Sequence, residues 1–166
     1  MQRISLALTT AGMLLTATAA LAVPSQADKT FAMTAAWSGL AEVQAGQLAT
    51  QKATSRQVKQ YGQTLVTDHS KANDELQQIA QQENLTLPPQ PSASERSQDQ
   101  QLGGMSGSAF DIAFVGDEVR DHRQAIATFQ REAQSGHDPA LKDFAQKTLP
   151  MLRQHLQMAK SLNSQH

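Results

Sequence analysis

The chain has 166 residues, which is enough for one domain with a sizeable hydrophobic core. Its formal net charge of −1 argues against a surface that binds nucleic acid or another polyanion. The chain contains no cysteine, which excludes disulfide bonds, thiolate metal ligands, a catalytic cysteine and lipid attachment at an N-terminal cysteine.

The N-terminal segment has the pattern of an export signal. Arg3 provides a positive charge, the residues from Ile4 to Ala22 are uncharged and mostly apolar, and Ala20-Leu21-Ala22 is a small-x-small cleavage site. Cleavage as late as Ala27 is one alternative, and an uncleaved anchor helix is another, because the segment is almost long enough to span a membrane. We expect a signal peptide over residues 1–22 and a mature protein in the periplasm or another extracytoplasmic compartment, without a transmembrane segment.

Residues 28–164 are predicted to form a single all-α domain of four long helices. Apolar residues recur there at steps of three and four, which is the spacing of one helix face. The pattern is most regular between Val58 and Ile79. The helices are expected from about Lys29 to Ala53, Ser55 to Asn84, Ala109 to Ser135, and Pro139 to the end of the domain.

The middle segment, residues 85–108, is predicted to be a long crossover between the second and third helices. Pro88-Pro89-Gln90-Pro91 stops the second helix, and a short helix over Ser94–Leu102 is expected before the glycines that follow. The chain therefore forms two helical hairpins joined by this crossover. Pro150 falls within the last helix, where it is either a tolerated bend or a bend that aims His155.

An ionisable residue lies near the middle of the apolar face of each helix. Glu118 and His122 are four residues apart on the third helix and are therefore neighbours on its surface. Since helices of similar length that pack side by side bring their midpoints to one level, these groups should meet inside the bundle. The candidate metal ligands are Glu42, His69, Glu118, His122 and His155.

Three imidazoles and one or two carboxylates suit iron, manganese, zinc or copper, and bundle metal sites are built from inward side chains on facing helices. The alternative is a buried His–Glu layer that is hydrogen-bonded without a metal and that fixes the pairing of the helices. The sequence leaves both open. His137 and His166 receive no role.

Several motifs occur in an order that resembles the bacterial domain-of-unknown-function 4142 family (DUF4142). They are Gly39-Leu40-Ala41-Glu42-Val43, Val66-Thr67-Asp68-His69-Ser70-Lys71-Ala72-Asn73, Phe110-Asp111, His122, and Leu149-Pro150-x-Leu152-x-x-His155-Leu156. The resemblance implies a ferritin-like four-helix fold and an exported protein, often labelled as an outer-membrane protein. It implies no established reaction.

The expected ligand set departs from that of ferritin-like di-iron proteins. Those proteins carry Glu-x-x-His on two helices, whereas Val66 precedes His69 and Leu152 precedes His155 at the equivalent position. A mononuclear, histidine-rich site fits these residues better than a carboxylate-bridged di-iron centre.

Three functions follow from these observations. The leading one is an exported bundle that binds a metal, in an envelope or stress-related role. The second is a structural or interaction protein of the envelope. The third is an oxidoreductase such as a peroxide-consuming enzyme, for which the sequence carries no flavin, haem or nucleophile motif, so whether the protein is an enzyme stays open. We expect association with the envelope or a homo-oligomer, and we expect no nucleic-acid partner.

Overall fold

The computed structural model describes residues 23–165, so the predicted signal peptide over residues 1–22 lies outside the described residues. Every secondary-structure element of the described chain is a helix, and it has no strand, which confirms the predicted all-α class. It contains α1 (Gln26–Lys52), α2 (Arg56–Gln82), α3 (Ala93–Gly103), α4 (Gly107–Ser135) and α5 (Pro139–Asn163).

The four long helices form a bundle of two hairpins. α1 packs along α2, and α4 packs along α5; the hairpins then meet through contacts of α2 with α5 and of α1 with α4. The short helix α3 belongs to the crossover and packs against α1 and α4. Among the described helices, none combines the length and hydropathy that crossing a membrane requires.

Side chains cap the N-terminal ends of α1, α2, α3 and α5. Ser25 and Asp28 form a reciprocal capping box at the start of α1, and Ser92 and Glu95 form another at α3. The Asp138 side chain accepts the backbone N–H of Leu141, and Pro139 occupies the first turn of α5. These interactions satisfy N–H groups that have no partner inside the helix. The predicted bounds therefore differ from the observed ones by at most a few residues, as expected where caps decide the ends.

Two apolar clusters fill the interior, one on each side of a polar layer. The first contains Phe31, Phe129 and Phe144, whose rings lie 5.0–6.4 Å apart between centroids. The second contains Tyr61 and Phe114, at 6.0 Å. On each long helix the residues of one cluster precede the ionisable residues and those of the other cluster follow them. The ionisable groups therefore lie at one level.

Candidate functional site

All five predicted site residues lie in this polar layer. Their exposed fractions are 6% or less. The structure arranges them in two groups that share one imidazole, and within each group the candidate ligand atoms lie within 4.8 Å of one another. The first group, here called the imidazole group, is His69, His122 and His155, and the second, the carboxyl group, is Glu42, Glu118 and His122.

In the imidazole group three helices each contribute one ring. The Nε2 atom of His122 lies 3.3 Å from Nδ1 of His155. The ring centroid of His69 lies 5.7 Å from that of His122 and 5.3 Å from that of His155. The Nε2 atom of His69 is buried and has no hydrogen-bond partner among the described residues. Three side chains thus bring nitrogen atoms together in a space from which water is largely excluded.

Oxygen atoms surround Nδ1, on the opposite side of the His122 ring. Its Nδ1 lies 3.0 Å from the backbone carbonyl oxygen of Glu118 and 3.3 Å from Oε2 of the same residue. Oε1 of Glu42 is 3.6 Å away. Because a carbonyl oxygen only accepts, the 3.0 Å contact favours the tautomer of a neutral His122 that has its N–H on Nδ1. The Nε2 atom that faces His155 then carries a lone pair.

Asp68 contacts His155 in the same manner, and it was not among the site residues predicted from the sequence. Its Oδ2 lies 2.9 Å from Nε2 of His155, which places the N–H there and a lone pair on Nδ1. Asp68 is adjacent to His69 and about 100° from it around α2, so the helical pattern places it beside the apolar face. The only sequence signal was its position next to His69.

In this pair of tautomers neither of the two facing nitrogen atoms carries a proton. If His122 and His155 are each neutral, with their N–H groups on the oxygen side, two lone pairs meet across 3.3 Å. That contact becomes favourable when a proton is added between the rings or when a cation lies against both. Since His69 offers another unpartnered nitrogen beside them, the geometry fits a cation better than a single proton.

Burial keeps two of the imidazoles in the form that binds metals. Burial lowers the pKa of His69 well below its usual value, and nearby His122 and His155 lower it further. Burial also lowers the pKa of His155, although the hydrogen bond with Asp68 acts in the opposite direction. Both rings are therefore neutral at pH 7, as a metal ligand must be.

Burial shifts the pKa values of the two glutamates in the opposite direction. It raises the pKa of Glu118 to about 8, and it raises that of Glu42 well above the usual value, with the charge of Glu118 adding to the effect. The hydroxyl of Tyr61 lies 3.4 Å from Oε2 of Glu118, while Oε2 of Glu42 is buried without a partner among the described residues. A cation near these oxygens would replace the protons that burial retains.

The fold and the site define a class of protein: a helical bundle with three imidazoles and two carboxyl groups at its buried centre. A family model described as domain of unknown function (DUF4142) matches residues 14–162, and the chain belongs to this family. The resemblance found in the sequence is thereby confirmed.

Comparison with solved structures shows that the fold is similar to that of a DUF305 fragment from Deinococcus radiodurans. The two share 10% sequence identity with a TM-score of 0.75, over 86% of this chain and 99% of that one. This likeness supports the fold alone. Comparison with curated proteins found no match.

Proposed function

We propose that this protein is an exported bacterial bundle that binds a transition metal at its buried centre, in an envelope or stress-related role. His69, His122 and His155 are the ligands, and Glu42 and Glu118 adjoin them. The observation that carries the proposal is the contact between Nε2 of His122 and Nδ1 of His155, with both rings held by oxygen atoms on their other sides.

The nature of the ligands limits the metal. Neutral imidazoles with nearby carboxylates suit iron, manganese, zinc or copper, whereas an all-oxygen site would favour calcium or magnesium. A bound ion of this kind supplies either Lewis-acid or one-electron chemistry. The chain's own groups orient the imidazoles: Asp68 from one side and the Glu118 carbonyl from the other.

The fold proposed for this site is ferritin-like, with α1, α2, α4 and α5 as the four helices and α3 within the crossover. A carboxylate-bridged di-iron centre does not fit, because Val66 and Leu152 occupy the positions where the Glu-x-x-His motifs carry Glu. A mononuclear, histidine-rich site agrees better with the observed grouping.

Export remains a proposal that rests on the N-terminal sequence. The start of α1 favours the earlier cleavage site: cutting after Ala27 removes Ser25, which caps the helix and exchanges hydrogen bonds with Asp28. Cutting after Ala22 leaves this cap intact. The intact mass of the protein recovered from the periplasm tests this, and a chain that begins at Val23 is the expected result.

A second candidate function is a structural bundle with a hydrogen-bonded core and no metal. A single extra proton between His122 and His155 would complete a chain of hydrogen bonds from the Glu118 carbonyl to Asp68. This alternative leaves His69 Nε2 without a partner among the described residues, which costs free energy in a buried site. The metal hypothesis accounts for that atom.

Metal titration of the mature protein, residues 23–166, tests the proposal. The protein is prepared without a polyhistidine tag, stripped with a chelator, and titrated with Fe²⁺, Mn²⁺, Zn²⁺ and Cu²⁺. About one equivalent of at least one ion should bind to the wild type and to His137→Gln, a variant of an exposed histidine outside the site. His122→Gln should bind with at least tenfold lower affinity. A wild type that binds none of the four ions overturns the proposal.

His122→Leu separates the two candidate functions. If the layer is structural, an apolar residue at this position leaves the fold intact or makes it more stable. If the layer binds metal, the wild type melts about 5 to 10 °C higher in metal at a hundredfold excess over Kd, and His122→Leu loses this increment. Scanning calorimetry with and without metal measures both effects.

A further inference from the structure

Glu42 and Glu118 form the floor of a cleft between α1, α3 and α4. The cleft has a volume of about 360 Å³ and opens from the buried carboxyl group to the protein surface. His69 and His155 do not line it, and His122 lies behind the two carboxyl groups. An ion that enters through this cleft therefore meets the side chains of Glu42 and Glu118 before it meets the three imidazoles.

Carboxylates are concentrated along this cleft. The chain has 15 acidic residues in total, and six of them line the cleft. Besides Glu42 and Glu118, these are Glu95 and Asp99 on α3 and Asp117 and Asp121 on α4. Arg120 is the only cation among the described residues that line it, and this side chain pairs with Asp117 and Asp121 at the mouth. Above the floor, four acidic side chains face one cation, so the cleft is acidic on a chain with a net charge of −1.

The exposure of the acidic side chains decreases from the mouth to the floor. Asp121 and Asp117 are 32% and 23% exposed at their side chains, whereas Glu42 and Glu118 are 7% and 4% exposed. Oδ2 of Asp99 and Oε2 of Glu42 are buried acceptors without a hydrogen-bond partner among the described residues. Burial and the neighbouring carboxylates raise the pKa of Asp99 to about 6, so it is still mostly charged above pH 7. One buried oxygen atom without a donor thus lies on the path and another lies at the floor.

We propose that this cleft is the access route of the metal cation, and that Glu42 and Glu118 are its docking point before transfer to the three imidazoles. This inference rests on the proposed metal site and adds to it the direction from which the ion arrives. An acidic path raises the local concentration of cations and increases the association rate, and salt screens the effect.

Stopped-flow loading with Co²⁺ tests the route, because its visible absorption reports coordination by imidazole. The variant Asp99→Asn/Asp117→Asn removes two charges from the cleft and leaves the capping box of Glu95 intact. The control Asp74→Asn/Asp143→Asn removes two charges from exposed positions on α2 and α5. The variant Ala41→Leu narrows the cleft without changing its charge.

At low salt the cleft variant should load about tenfold more slowly than the wild type, and the control variant should load at the rate of the wild type. Ala41→Leu should also load more slowly, and its rate should keep the salt dependence of the wild type. All variants should reach the same Co²⁺ stoichiometry at equilibrium.

The outcomes separate this inference from the metal site itself. Equal loading rates in the cleft and control variants overturn the access route and leave the metal site standing. A lower final stoichiometry in Asp99→Asn/Asp117→Asn overturns it as well, because those side chains would then be ligands. A wild type that binds no Co²⁺ and none of the other four ions overturns both.

Discussion

Oδ2 of Asp68 lies 2.9 Å from Nε2 of His155, although the side chain of Asp68 is 39% exposed and that of His155 is 2% exposed. The pair joins α2 to α5 and connects the buried layer to the surface. Asp68 accepts the N–H on Nε2 of His155. The Nδ1 atom, which faces His122, is then unprotonated and free to bind a metal. Carboxylates that hold metal-binding histidines in this way fix the tautomer and increase the basicity of the ring.

Replacing Asp68 by alanine should weaken metal binding by about 10- to 100-fold, because the His155 ring loses the partner that orients it. The fold should remain intact, since Asp68 is partly exposed and contributes little apolar contact. Asp74→Ala, at an exposed position on the same helix, is the control and should bind metal as the wild type does. Calorimetric titration provides both affinities. Equal affinities in the two variants would show that Asp68 does not support the site.

The helices and the convergence of the five site residues follow from local sequence. The apolar spacing predicted all four long helices, and the short helix α3 was expected over Ser94–Leu102 and lies over Ala93–Gly103. Glu42, His69, Glu118, His122 and His155 could be placed at one level because each interrupts an apolar face near the middle of its helix. Such a pattern depends only on positions along single helices.

What the sequence did not predict depends on the rotation and register of one helix against another. The contact of Asp68 with His155 and the division of the site into two groups at His122 both require the distances between helices. The acidic cleft requires the docking of α3 against α1 and α4. The kink expected at Pro150 stays a prediction, and α5 continues as helix through that residue.

Metal binding should release protons if Glu118 takes part. The pKa of Glu118, raised to about 8 by burial, keeps its carboxyl group mostly protonated at pH 7, and burial raises the pKa of Glu42 well above its usual value. A cation that binds at Glu118 therefore displaces about one proton, and the apparent affinity rises as the pH rises from 6 to 8. Calorimetry in two buffers of different ionisation enthalpy counts the protons.

Glu118→Gln provides the matched comparison for that measurement. It keeps the size and the hydrogen-bonding ability of the side chain but has no proton to lose. Proton release at pH 7 should fall by about one per metal bound. If the release stays the same, Glu118 is not a ligand, and the imidazole group binds the ion without it.

Asp111 should contribute strongly to stability because it holds the turn between α1 and α2 from another helix. Its carboxylate accepts the backbone N–H groups of Thr54 and Ser55, at 3.1 Å and 2.9 Å, and the hydroxyl of Thr54. Asp111→Ala leaves these N–H groups without an acceptor in a partly buried turn, at a cost of about 2 to 4 kcal/mol of unfolding free energy.

Urea unfolding followed by circular dichroism measures the effect of Asp111→Ala. Asp143→Ala, which removes an exposed carboxylate on α5, should change the unfolding free energy by less than about 0.5 kcal/mol. The metal stoichiometry of Asp111→Ala should equal that of the wild type, since the residue lies outside both groups of the site. A loss no larger than that of Asp143→Ala would show that Asp111 does not stabilise this turn.

Glu132 should make the fold less stable as the pH rises. It is buried beside Asp28, whose pKa burial would raise but hydrogen bonds from Ser25 and His137 lower to about 2, so Asp28 is charged. Burial and the adjacent Asp28 raise the pKa of Glu132 to about 7. A carboxyl whose pKa is raised in the folded state contributes stability that is present below its unfolded pKa, about 4.5. That contribution is lost as the pH rises through 7.

Glu132→Gln should therefore be more stable than the wild type at pH 8, by on the order of 2 kcal/mol, and close to it at pH 5. Urea unfolding at both pH values measures this difference between the two proteins. Glu42 and Glu118 are present in both proteins, so their pH dependence cancels in the comparison. A variant that is less stable than the wild type at pH 8 would contradict this prediction. It would mean that the fold stabilises the charged form of Glu132 better than an uncharged side chain of the same size.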